Sequence, residues 1–219
     1  MPNERVSIEN NYSSQDLTNS GRKMVLTTFS AALLSELDIV ILGVFYSGPI
    51  LGVLAWSKRI LEGLYQLVGA SLDIVFPEIS KLNDTEEISG VRSKLRIVIL
   101  ISLLIPFTYI LLENVAKNVF INVLGSEFEN LASIFSVVIF SLPFMLWSRI
   151  NIIFARAMHY EIDLFKIIIA AASSSFLLYF INDTYNYFAI EYGILGSQIL
   201  FSIFTSFLIN SHIKKERNM

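Results

Sequence analysis

Long apolar runs separated by short polar intervals organise this chain. A helix that crosses the ~30 Å hydrocarbon core of a bilayer needs roughly 20 mainly apolar residues. Six runs come close to or reach that length, at 24–46, 50–76, 95–112, 131–153, 164–181 and 190–213. The first ends at the breaker Ser47-Gly48-Pro49 and the second stops at Pro77. Pro106 and Pro143 fall inside the third and fourth runs. Membrane helices tolerate proline because neighbours and local adjustments re-satisfy the freed carbonyls, so each predicts a kink. The pattern therefore predicts an all-α integral membrane protein of about six transmembrane helices. It divides into a polar leader (1–23), a six-helix transmembrane lobe (24–213) and a short basic tail (214–219).

Composition agrees. The chain is 54% hydrophobic and 16% charged over 219 residues, against about 45–50% and 25% for soluble domains. The leader has no apolar core of the signal-peptide kind, so the internal helices must drive insertion. Lys and Arg collect in the leader, the second and fourth loops and the tail, thirteen in all. The first, third and fifth loops together hold only Lys117. The positive-inside rule then places both ends in the cytoplasm, as an even number of spans requires. A multi-pass protein of the cytoplasmic (inner) membrane is expected.

The second run carries an unusual load of polar residues. Arg59, Glu62, Gln66 and Asp73 follow steps of three, four and seven, with Gly69 and Ala70 filling the gap, and Lys58 adjoins Arg59. On a helix this spacing makes one polar stripe. A charge at the bilayer centre costs from ~2.5 to more than 10 kcal/mol, so the stripe must face other helices or a water-filled cavity. The competing reading has Lys58, Arg59 and Glu62 snorkelling to one surface and Asp73 to the other. The first run adds Glu36 and Asp38. Intramembrane acids are candidate ion or proton sites, or structural partners of Arg59 and Lys58. Gln198, Ser202, Thr205 and Ser206 in the last run, and Ser173-Ser174-Ser175 in the fifth, fit polar glue between helices.

Other chemistry is poorly supplied. The absence of cysteine excludes disulfides, thiolate metal sites and cysteine nucleophiles, and two histidines make zinc sites unpromising. No nucleophile elbow, phosphate-binding glycine loop or metal-ligand spacing occurs, so neither an enzyme nor a cofactor is expected. No basic stripe could track a nucleic-acid backbone.

Several short motifs, taken in order, resemble a known family. Leu37-Asp38-Ile39-Val40-Ile41-Leu42-Gly43 is followed by Leu51-Gly52-Val53-Leu54-Ala55-Trp56-Ser57-Lys58-Arg59-Ile60. Phe76-Pro77-Glu78-Ile79-Ser80, Leu124-Gly125-Ser126-Glu127-Phe128 and Tyr192-Gly193-Ile194-Leu195-Gly196 come next. Together they resemble the polysaccharide flippases, that is, the oligosaccharidyl-lipid/polysaccharide exporters, which include O-antigen flippases and are related to multidrug exporters. The resemblance covers about residues 20–212. It implies one lobe, the C-terminal one, of a two-lobe exporter that moves a polyprenyl-diphosphate-linked oligosaccharide across the cytoplasmic membrane, for lipopolysaccharide or another surface polysaccharide. A homologous first lobe or self-association, together with membrane lipid, would complete it. On this reading Arg59, Lys58 and Gln66 bind substrate, and Asp38, Glu36 and Glu62 couple an ion or proton. The alternatives are a cation-coupled multidrug-type exporter lobe and a non-transporting membrane subunit or degenerate half-gene.

Overall fold

The computed structural model describes residues 21, 22, 25, 39, 40, 43, 44, 48–74, 77, 85–158, 160–185 and 190–217. Every regular element among them is helical. They are α1 (Pro49–Asp73), α2 (Thr85–Ser102), α3 (Leu104–Leu111), α4 (Glu113–Leu124), α5 (Leu131–Val138), α6 (Ser141–Ala157), α7 (Glu161–Tyr185) and α8 (Ile190–Arg217), with a 3₁₀ turn at Ser126–Phe128. The first expected span and the leader lie almost wholly outside the described residues. Ile39, Val40, Gly43 and Val44 of that span are helical.

The apolar runs set these elements, and proline sets their breaks. A proline has no N–H and its ring clashes with the carbonyl four residues back. For Pro106 that carbonyl belongs to Ser102, the last residue of α2, and for Pro143 to Ile139, just past the end of α5. Each expected kink is therefore a full interruption, at Leu103 and at Ile139-Phe140. Across these breaks the chain still provides four segments long and apolar enough to cross a membrane: Gly90–Leu111, Leu131–Ala157, Ile162–Ile181 and Glu191–Lys214. The chain is an all-α membrane protein. Helix α1 has 25 residues and is ~37 Å long, enough to cross, but its charges set it apart from those four.

One expectation is corrected. Residues 113–130 read as a loop, because Glu113, Asn114, Lys117, Asn118 and Asn122 interrupt the apolar pattern. Most of the interval is helical. The twelve residues of α4 extend ~18 Å, too short for the ~30 Å core, so α4 does not alter the parity of crossings. Its C-cap is Gly125 at φ 103°, a conformation that favours glycine. That turn sets the ring of Phe128 edge-on against Trp56 of α1, with centroids 6.3 Å apart.

The core forms around α6. Leu146, Ile150 and Phe154, at successive helical turns, are fully buried and share one cluster with Leu54 and Leu61 of α1 and Ile209 of α8. Helix α8 packs along α7 and α6, α1 packs against α5 and α6, and α2 lies on α6. Gly193 in α8 receives the Tyr179 ring of α7 so closely that an added Cβ would lie 2.5 Å from a ring carbon. The hydroxyls of the two expected glue sets act alike in one respect. Ser174, Ser175, Ser202, Thr205 and Ser206 donate to carbonyls of their own helices, and Thr205 and Ser206 in addition accept bonds from α6.

The charge asymmetry predicts the orientation of this bundle. Reporter fusions at Asn83 and His159 are expected to read cytoplasmic and one at Asp183 external. A cytoplasmic signal at Asp183 would overturn the topology.

Candidate functional site

The polar residues of α1 cluster at its middle. Counting from Pro49 to Asp73, the midpoint is Leu61, so Lys58, Arg59 and Glu62 lie within a turn of the centre. Lys58 is ~13 Å of helix rise from the Pro49 end, far for a snorkelling side chain. A cavity of about 340 Å³ opens there, lined by Lys58, Arg59 and Glu62 with Ala55 and with Ile39 of the preceding segment. Lys58 and Glu62, four residues apart, share a helix face, and Arg59 flanks Glu62 on the other side. Lys58 is only 4% exposed, whereas Arg59 is exposed and Glu62 half-buried. Among the described residues the lining carries two cations and one carboxylate.

Gln66 belongs elsewhere. One turn further along α1 it accepts a hydrogen bond from Arg149 of α6, with Nη1 3.5 Å from Oε1. The Arg149 guanidinium sits over the Tyr65 ring, 5.0 Å from its centroid. It also rests against Gly69, where an added Cβ would meet Cζ at 2.7 Å. The stripe on α1 thus divides into a half that lines the cavity and a half that meets a cation from α6. Glu36, Asp38 and the Asp73 side chain lie outside the described residues. Ile39, which lines the cavity, directly follows Asp38 in the chain.

A second cavity, about 580 Å³ and almost wholly apolar, lies where α3 and α4 diverge over α5. Leu64 of α1, Ile105, Leu112 and Phe120 are among its walls. Leu64 is about 200° around α1 from Glu62, so this groove and the charged cavity occupy different sides of the helix.

The pattern reading missed Arg149 as a site residue. It lies inside the run 131–153, and the rule that flags Arg59, an ionisable residue within a span, applies to it equally.

A model of the polysaccharide biosynthesis protein family matches residues 4–133, more than half of the 219 residues. The chain belongs to this family. Membership ties it to polysaccharide biosynthesis and export in a membrane setting. No curated protein and no solved structure matches it. The matched stretch of the family model includes most of the leader, Glu36 and Asp38, the charged cavity on α1 and all of α2–α4. Arg149 lies beyond it.

Proposed function

We propose that this polysaccharide biosynthesis protein carries a lipid-linked oligosaccharide across the cytoplasmic membrane as half of a flippase. It is not an enzyme. The observation that carries this reading is the cavity at the centre of α1, with the Arg59 side chain exposed in it. Fixed cations in a low-dielectric wall favour an anion, and a diphosphate linking sugar to a polyprenyl carrier is one. A guanidinium keeps its charge there and offers paired donors that match phosphate oxygens. Arg59, exposed to the cavity, makes that contact, and buried Lys58 adds charge behind it. Glu62 and the acids of the first span, Asp38 and Glu36, take up and release the coupling ion or proton. An exporter of organic cations would call for an acidic lining, whereas the described lining residues are two cations and one carboxylate.

The exposed Arg59 and Gln66 on α1 are poor neighbours for lipid, so a partner surface is part of the proposal, either a homologous lobe or a second copy. An O-antigen unit is the substrate favoured by the motifs. The test is transbilayer movement of a fluorescent polyprenyl-diphosphate oligosaccharide in vesicles carrying the chain with its partner lobe. A membrane-impermeant quencher should reach the label on the far face faster than in protein-free vesicles. Asp38→Asn is expected to leave the protein inserted and weaken dependence on an imposed ion gradient. Equal movement with and without the protein would sink the reading.

A further inference from the structure

A second cationic centre lies apart from the cavity on α1. Arg92 of α2 is 4% exposed, and both acceptors of its Nη atoms are neutral. Its Nη1 donates to Asn210 Oδ1 of α8 at 2.6 Å and its Nη2 to Asn151 Oδ1 of α6 at 2.8 Å. Its Nε is buried with no acceptor. The guanidinium also lies over the Trp147 ring, 5.1 Å from the centroid. Arg96, one turn along α2, lies over the same ring at 5.8 Å. Among the described residues no carboxylate pairs with either arginine. Like charges four residues apart on a helix repel, and a buried charge without a counter-ion is costly. This site has both features, and among the described residues only the Trp147 ring and neutral acceptors offset them.

We infer that the face of α2, α6 and α8 around Arg92, Arg96 and Trp147 binds a phosphate ester anion at the membrane surface. Arg96 and Asn210 are exposed and form the rim. The Asn210 oxygen is held by Arg92, which leaves its Nδ2 as a donor. Arg92 supplies the fixed charge behind them, and the Trp147 indole, anchored by its Nε1 to Ser206 Oγ at 2.6 Å, holds both guanidiniums. Basic pockets between membrane helices, with an aromatic at the interface, suit anionic headgroups. Arg92 lies two residues inside the apolar segment Gly90–Leu111 and Asn210 four residues from the end of Glu191–Lys214, toward the end of the bundle that also carries Lys94, Arg156 and Lys214. It is independent of the transport reading, since it needs only that these three helices pack in a membrane.

The same chemistry is presented by an anionic bilayer lipid and by a phosphorylated carrier lipid. The test uses the full chain in micelles, with Trp56→Phe leaving Trp147 as its single tryptophan, titrated with phosphatidylglycerol, phosphatidylcholine or a polyprenyl diphosphate. A saturable change in Trp147 emission is expected with phosphatidylglycerol, which assigns the site to bulk lipid. A response to the polyprenyl diphosphate alone assigns it to the carrier. Arg96→Gln should weaken the responding lipid about fivefold, as expected for one surface cation. Because Arg96 is exposed, that variant does not endanger folding. Lys117→Gln, on α4 and ion-paired with Glu129, should leave the titration unchanged. An equal response to phosphatidylcholine, an unaltered affinity in Arg96→Gln, or loss of the response in Lys117→Gln would each overturn the inference.

Discussion

Arg59→Ala is expected to reduce glycan reaching the cell surface by about ten- to a hundredfold, at a normal level of inserted protein. The magnitude follows from hydrogen bonds to a charged group, each worth ~1.5–3 kcal/mol, where ~1.4 kcal/mol is tenfold. Arg59 lines the central cavity but is exposed, so its loss removes no core packing and should not unfold the bundle. Arg59→Lys keeps the charge and loses the planar fork, and should fall between the wild type and Ala. Surface polymer on a gel, read beside an immunoblot of the membrane fraction, separates transport from abundance. Normal polymer at normal protein level in Arg59→Ala would reduce Arg59 to a snorkelling side chain.

Asn151→Leu should destabilise the bundle by about 3 kcal/mol, although it puts an apolar residue into an apolar helix. Hydropathy alone predicts the opposite sign. Asn151 is fully buried and joins three helices. Its Oδ1 accepts from Arg92, and its Nδ2 donates to Thr205 and Ser206 hydroxyls at 3.3 and 3.1 Å. Interhelical hydrogen bonds in membranes average only ~0.6 kcal/mol each, so the neutral bonds would not decide the outcome. Arg92 does, because removing one acceptor leaves part of a buried guanidinium unsatisfied, at a cost of several kcal/mol. Asn151→Asp keeps the acceptor and adds a counter-ion, so it should hold or raise stability. Denaturant unfolding in mild detergent measures both. A Leu variant within ~0.5 kcal/mol of wild type would show that Arg92 finds water.

Five of the six apolar runs correspond to helices or helix pairs whose ends lie mostly within a few residues of those read from the sequence, since lipid exposure demands unbroken apolarity. The first of the six lies mostly outside the described residues. Helix α2 departs from its apolar run. It begins at Thr85, ten residues before the apolar run, so Arg92, Lys94 and Arg96 read as loop cations when they are helical. Hydropathy finds the segment in lipid and is blind to a helix that continues past it. The central polar cluster was legible because spacing places Lys58, Arg59 and Glu62 on neighbouring rows of one helix. Which of the two adjacent cations is buried was not, because a step of 100° decides it and only the packing of α1 on α5 and α6 sets that angle. The pairing of Gln66 with Arg149 spans 83 residues and depends on helix register, which no local pattern carries.

The Arg92 network also imposes an order on how the protein is made. Its acceptors lie 59 and 118 residues further along the chain. At ~5–20 residues per second, the ribosome reaches Asn210 on the order of ten seconds after Arg92. During that interval α2 holds a guanidinium whose final partners do not yet exist. The helix must wait at the bilayer surface, or be sheltered by the insertion machinery, until α6 and α8 arrive. A nascent chain stalled between Arg92 and Asn151 should therefore leave α2 extractable at high pH, and one stalled after Asn210 should not.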